Sequence, residues 1–272
     1  MDKRKLLIPI DFTRVTENAL VFARQVADKD ENELVLLHIA EEGKEAEAEE
    51  KIKTLIKTQS VDYAGEISYQ ISKGKVLRDI GKIARDIHAA FIIMGAHNAS
   101  KLQKVFGSNA IQVIGRSKCP FIVVQEKTKY KPIKKIAMTI DLEKESIQVV
   151  KTAVKICKYF DSELILIGGK HTDPNFKQKV MTNMRIAISH LKENNIKSSV
   201  ELLDRKNFME GLMTFCKKEN VAMLAATYYP DTFQIFSQKF VQSLISNELG
   251  LPLLTVDAEA VSGGSNISFI SG

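Results

Sequence analysis

The sequence predicts an α/β protein made of two domains, each a parallel sheet covered by helices on both faces. Three observations carry that reading. The chain repeats itself in register: Lys5-Leu6-Leu7-Ile8-Pro9-Ile10-Asp11 returns as Lys135-Ile136-Ala137-Met138-Thr139-Ile140-Asp141, and Glu33-Leu34-Val35-Leu36-Leu37-His38 as Glu163-Leu164-Ile165-Leu166-Ile167-Gly168. Cys119-Pro120-Phe121-Ile122-Val123-Val124 returns as Leu251-Pro252-Leu253-Leu254-Thr255-Val256. Solenoid units recur every ~20–50 residues, so a repeat this long marks whole domains. The apolar runs are short and continuous, as strands buried on both faces require, and they alternate with helical patterns. A chain of 272 residues gives each copy enough length to bury its own core.

The elements follow in order. Leu6 to Ile10 is an apolar strand ending at Asp11, and Thr13 precedes a helix in which Ala19, Leu20, Phe22, Ala23, Val26 and Ala27 recur at three- and four-residue steps. Leu34 to Ile39 is a strand. Residues 41 to 58 form a Glu-, Lys- and Ala-rich helix with Ile52, Leu55 and Ile56 on one face. Ile67 to Ile71 alternates weakly as a third strand, and Gly74 leads into a helix through Val76, Leu77, Ile80, Ile83, Ala84 and Ile87. Phe91 to Met94 is a fourth strand, Ala110 to Ile114 lies on a helix, and Phe121 to Val124 is the fifth strand.

The second copy repeats the order. Its strands are expected at Lys134 to Ile140, Leu164 to Ile167, Ser199 to Leu203, Val221 to Ala225 and Leu253 to Val256. Its helices are expected at 145 to 160, 175 to 194, 207 to 218 and 233 to 247. The linker from Lys127 to Lys134 is short and polar, with Pro132 inside it, so the two domains are expected to pack together. The boundaries are 1–128 and 133–257, followed by a tail, 258–272, whose Ser262-Gly263-Gly264-Ser265 has a flexible composition. Ile267-Ser268-Phe269-Ile270 in that tail is an alternative edge strand.

Composition excludes several classes. No run approaches the roughly 18 apolar residues of a membrane span. The apolar stretch after Met1-Asp2-Lys3-Arg4-Lys5 is shorter than a signal peptide requires, so a cytoplasmic location is expected. A net charge of +6 without basic blocks and interleaved aromatics describes a solvated lysine-rich surface, not a nucleic-acid groove. Cys119, Cys157 and Cys216 lack zinc-ligand spacing and read as buried small hydrophobes. His38 and His97 have no accompanying Cys or Glu pattern for a metal, and no spacing constrains a Ser–His–Asp triad. His171 and Asp173 read as solvated loop residues.

In open α/β sheets ligands sit beyond the carboxyl ends of the strands, near the reversal of strand order. Asp11, Ile39 and Gly95 all fall at such ends. Gly95-Ala96-His97-Asn98 follows a buried strand, and Gly107-Ser108-Asn109 opens a helix. Glycines allow backbone amides to approach a phosphate, and a helix start attracts it. The same residues also fit two turn glycines and an ordinary serine cap.

These segments together resemble the universal stress proteins in their tandem two-domain form, over residues 3–125 and 133–257. The resemblance implies Rossmann-like domains, each a five-stranded parallel sheet of order 3-2-1-4-5, related by a pseudo-twofold axis and paired through their final strands as a dimer within one chain. A homodimer of the whole chain is left open. In some members of the family it also implies binding of ATP, with Mg2+ on the phosphates, through a Gly-x2-Gly-x9-Gly-Ser/Thr motif. Carried onto this chain, Asp11 faces the ribose and Pro9 and Ile39 border the adenine. Met94 and Gly95 flank the nucleotide, while Gly107, Ser108 and the Asn109 backbone hold phosphates. Asn98 stands where the motif has its second glycine, and the loop to Gly107 is one residue shorter.

In the second copy Ala226, Tyr229, Lys239 and Phe240 stand at the positions of Gly95, Asn98, Gly107 and Ser108. Thr139 replaces Pro9, Gly168 and Gly169 replace His38 and Ile39, and Asp141 alone persists. The expected function is a stress-response protein that binds an adenine nucleotide in the N-terminal domain only, at most a slow ATPase. The alternative is a dimerising scaffold with both sites vestigial. Tyr228-Tyr229-Pro230 is expected to pack against the other domain.

Overall fold

The computed structural model describes residues 3–28, 30–96, 110–115, 117, 119–142, 145–228 and 238–257. The N-terminal half runs β1 (Arg4–Pro9), α1 (Arg14–Val26), β2 (Asn32–Ala40), α2 (Glu45–Gln59), β3 (Glu66–Lys73), α3 (Val76–Asp86), β4 (Phe91–Gly95), α4 (Ala110–Ile114) and β5 (Phe121–Val124). The C-terminal half runs β6 (Lys135–Thr139), α5 (Glu145–Phe160), β7 (Glu163–Gly169), α6 (Pro174–Glu193), β8 (Ser198–Leu203), α7 (Phe208–Lys218), β9 (Met223–Tyr228), α8 (Gln238–Ile245) and β10 (Leu253–Asp257). No helix among the described residues is long and apolar enough to cross a membrane. The tail from Ala258 lies outside them.

The strands form one ten-stranded sheet of order β3-β2-β1-β4-β5-β10-β9-β6-β7-β8. Each half is parallel with the order 3-2-1-4-5, as the resemblance implied. The two halves join where β5 and β10 pair antiparallel, Phe121 opposite Thr255 and Val123 opposite Leu253. Each half thereby covers a strand edge that would otherwise present unpaired amides.

Alternation along each strand sends neighbouring residues to opposite faces. Leu6, Ile8, Leu36 and Ile93 form one core with residues of α1 and α2, and it continues through Ile136, Met138 and Leu166 under α5 and α6. Leu7, Leu37, Ile92 and Met94 form the other under α3 and α4, and it continues through Ala137 and Ile167 under α7 and α8. Each core therefore spans both halves.

Buried polar groups lock the join. Thr128 Oγ1 donates to the Gly250 carbonyl and accepts from the Gln125 amide, both at 2.8 Å. Gln125 Nε2 donates to the Asn247 carbonyl at 3.0 Å. Tyr228, the last residue of β9, packs across the join: a Cβ on Gly115, just past α4, would stand 2.8 Å from its ring. Tyr229 and Pro230 lie outside the described residues.

Boundaries moved where pairing partners decided them. The strand expected to end at Ala225 runs on to Tyr228 because β10 pairs it as far as Asp257. The strand expected at Ile67 to Ile71 extends to Lys73, which lies opposite Ala40 of β2. Helix α6 begins at Pro174, a residue earlier than its apolar pattern, because Asp173 Oδ1 accepts from the Asn175 and Phe176 amides.

Candidate functional site

Strand β1 lies between β2 and β4, where the strand order reverses, and it carries the chain to the carboxyl end of the sheet. Past Pro9, the buried Ile10 still donates its amide to the Leu37 carbonyl at 2.8 Å. Asp11 is then held in a fixed orientation. Its Oδ1 accepts from the Thr13 amide at 3.0 Å, Thr13 Oγ1 at 2.5 Å and Thr16 Oγ1 at 2.9 Å. These bonds set the carboxylate at the positive end of α1, where a negative charge is favoured. Its other oxygen, Oδ2, is buried and has no hydrogen-bond partner among the described residues. Leaving a buried acceptor unmade costs on the order of 1–3 kcal/mol, so the position calls for a donor.

The turn after Asp11 is shaped by Phe12, which adopts the left-handed region at φ 62°. Such a conformation is uncommon for a residue with a bulky side chain. The Phe12 ring lies 4.7 Å from that of His38, tilted by 42°. His38 Nδ1 is 2.7 Å from the Ile10 carbonyl. A carbonyl only accepts, so Nδ1 carries a proton in this bond. Thus His38 braces the end of β1.

At the end of β4, a Cβ on Gly95 would stand 2.5 Å from the Val15 carbonyl oxygen. The glycine is required by the close approach of α1 to the strand end. Met94 is fully buried, so its side chain belongs to the core, and only its main chain faces the strand end. Ile39 is half-buried against the same core, and Pro9 is buried. The fold thus brings Pro9, Asp11, Ile39, Met94 and Gly95 to the carboxyl ends of three adjacent strands. His97, Asn98, Gly107, Ser108 and Asn109 lie outside the described residues.

The C-terminal half differs at the corresponding place. A Cβ on Gly168 would meet Met184 Cε at 2.3 Å, and one on Gly169 would meet Arg205 Cγ at 2.8 Å. Side chains from α6 and from the segment after β8 therefore occupy the room the two glycines leave. Asp141 is buried, and its carbonyl accepts from Asn183 Nδ2 at 2.9 Å. The Phe240 ring stands 5.9 Å from that of Phe208 and packs against the core. His171 lies 3.2 Å from Arg205 Nη1; burial, and then the neighbouring guanidinium, lower its pKa. His171 is half-buried and Asp173 exposed, in keeping with a solvated loop.

Other chemistry is absent among the described residues. No three His, Cys, Asp or Glu side chains there gather as metal ligands. The thiols of Cys119, Cys157 and Cys216 are buried, and burial pushes each up to about 12, far from a nucleophile's range. Two features escaped sequence reasoning. The Thr13 and Thr16 hydroxyls that orient Asp11 were legible as an Asp-x-Thr-x-x-Thr spacing. The contact between Gly95 and Val15 left no local signal.

Comparison with known proteins relates the N-terminal half to a family. The model of the Universal stress protein family matches residues 3–125. No curated protein matches the chain. The structure is similar to that of a universal stress protein from Archaeoglobus fulgidus, with a TM-score of 0.68 and 15% identity, over 95% of this chain and 100% of that one. It is also similar to a functionally unknown protein from Pseudomonas aeruginosa, with a TM-score of 0.63 and 13% identity, over 96% of this chain and 95% of that one. At such identities the likeness establishes the fold, over both halves.

Proposed function

We propose that this chain, whose residues 3–125 match the model of the Universal stress protein family, binds an adenine nucleotide, ATP with Mg2+, at the carboxyl end of the N-terminal half of the sheet and nowhere in the C-terminal half. The observation that carries this reading is the buried, unpartnered Oδ2 of Asp11. A ribose hydroxyl supplies the donor this oxygen lacks, while Oδ1 stays bound to the Thr13 and Thr16 hydroxyls. Pro9 and Ile39 then border the base, and the main chain of Met94 and Gly95 lines the other side. Gly107, Ser108 and Asn109 take the phosphates by resemblance to the family motif, with Asn98 in the place of its second glycine.

Among its described residues the C-terminal half offers less room, since Met184 and Arg205 stand beside Gly168 and Gly169. The protein acts as a one-site nucleotide sensor of the stress response in the cytoplasm, and no residue is assigned to hydrolysis.

Calorimetric titration with ATP and magnesium tests the reading. Binding with one site per chain is expected, weakened in Asp11→Ala by roughly 1–3 kcal/mol, the scale of a lost hydrogen bond to a charged group, and unaltered in Asp141→Ala. Equal losses in the two variants would establish two live sites. No binding by the parent protein would leave the scaffold reading, which the continuous β5–β10 pairing favours.

A further inference from the structure

A recess lies at the amino ends of the strands, away from the carboxyl-end site, where α5 of the C-terminal half faces the N-terminal half. It is a cleft of about 1250 Å³. Pockets between domains are preferred positions for small ligands, and this volume lies a little above the ~300–1000 Å³ usual for such pockets. Leu6, Phe91 and Pro120 give it an apolar wall, and Tyr159 of α5 stands opposite with its ring 6.3 Å from that of Phe91, edge to face.

Its charge is lopsided. Of the basic residues lining it, Arg4 is paired with Glu31 and lies over the Tyr159 ring at 5.3 Å, and Lys158 donates to Asn194 Oδ1 at 3.0 Å. Arg85 and Lys155 come from opposite walls and have no ion-pair partner among the described residues. The acidic residues there are already engaged: Glu31 holds Arg4, and Asp28 Oδ1 accepts from the Asp30 amide at 2.9 Å. Hydrogen bonds to neutral groups leave Lys158 and Asp28 charged, so the cations Arg4, Arg85, Lys155 and Lys158 of the lining outnumber the carboxylates of Asp28 and Glu31.

A separate observation concerns Asn32. It is wholly buried, yet it lines this cleft. Its Oδ1 accepts from the Asp28 amide at 2.7 Å and from the Tyr159 hydroxyl at 2.5 Å, which fixes the amide's orientation. Its Nδ2 has no partner among the described residues. A buried donor left unmade is as costly as a buried acceptor, which marks this wall of the cleft as polar beneath its surface.

We propose that this cleft binds a small organic anion: an apolar, ring-sized body against Phe91 and Tyr159, and a carboxylate, sulfonate or phosphate group between Arg85 and Lys155. Aromatic and aliphatic walls favour the organic body over a bare inorganic ion, and the paired cations select its charge. The site is independent of the nucleotide reading, since it lies at the other end of the strands.

The test uses the full chain and two probes of similar shape, anilinonaphthalene sulfonate and its uncharged analogue phenylnaphthylamine. The chain has no tryptophan, so a Thr152→Trp variant places a reporter on the lip of the cleft. The expected result is one bound sulfonate probe per chain, quenching of that reporter, and weaker binding of the neutral probe. Arg85→Glu with Lys155→Glu, both exposed and clear of the core, should weaken the sulfonate probe roughly tenfold or more and leave the neutral one unchanged. Equal binding of the two probes, sulfonate binding without quenching, or affinity unmoved by the double reversal would each overturn the proposal. So would failure of the sulfonate probe to bind.

Discussion

Gly95 approaches Val15 so closely that a Cβ on the glycine would stand 2.5 Å from the Val15 carbonyl oxygen. That oxygen belongs to the backbone of α1 and cannot swing aside, so the helix start and the end of β4 are fitted to each other. Gly95→Ala should therefore cost ~1–3 kcal/mol, the range for overpacking a filled core. Gly168→Ala is the control. Its Cβ would meet the far end of the flexible Met184 side chain, and the cost should be smaller. Urea unfolding of both variants checks the order, and a larger loss at Gly168 would contradict it.

Asp11 divides its two oxygens between tasks, so Asp11→Asn should separate them. The amide keeps an acceptor for the Thr13 and Thr16 donors but turns the buried, free Oδ2 position into a donor. Thermal stability should stay near that of the parent, while ATP affinity falls by roughly tenfold, about 1.4 kcal/mol. Parallel melting and titration measure the two effects. An unchanged affinity would remove Asp11 from the binding reading.

The join between the halves gives a prediction about cooperativity. Thr128→Val removes the hydroxyl that serves both the Gly250 carbonyl and the Gln125 amide. Two buried backbone groups are then left unmade, at about 1–3 kcal/mol each before relaxation. Because both cores run through both halves, the variant should still unfold in a single transition. Circular dichroism during urea titration would reveal two separated transitions if the halves were independent.

The cysteines predict pH behaviour. Burial raises the thiols of Cys119, Cys157 and Cys216 from 9.0 to about 12. Folded protein should resist thiol-specific reagents at pH 8, and urea should expose all three. In the unfolded chain the thiols ionise near 9 while the fold holds them neutral. Their contribution is therefore complete below pH 9 and is lost as pH rises towards 12. Each thiol accounts for at most ~1.4 kcal/mol per pH unit. Stability curves of the parent and of a Cys157→Ala, Cys216→Ala variant should converge across that window, and parallel curves would refute the assignment.

Much of this was legible in the chain itself. The repeat of Lys5–Asp11 at Lys135–Asp141 foretold two like halves, and continuous apolar runs such as Leu34–Ile39 foretold a sheet buried on both faces. The Asp11, Ile39 and Gly95 positions at strand ends marked where a ligand would approach. Asp173-Pro174 carried its own start signal for α6, although the apolar pattern placed that helix one residue later. These readings succeed because the period of a strand or helix, and the chemistry of a cap, are written in residues adjacent along the chain.

The rest depended on residues distant in sequence becoming neighbours. Nothing local to Gly95 announces Val15, and nothing local to Gly168 announces Met184, whose side chain fills the room there. The sequence by itself determined the fold class, the order of elements and the strand ends at which chemistry can occur. Only the tertiary structure decided which Asp11 oxygen is left free and how far β9 runs beside β10. It also decided that Arg85 and Lys155 face one cleft. Local patterning settles which face of an element is apolar, but the packing of those faces selects which side chains meet, and every contact-dependent property follows from that selection.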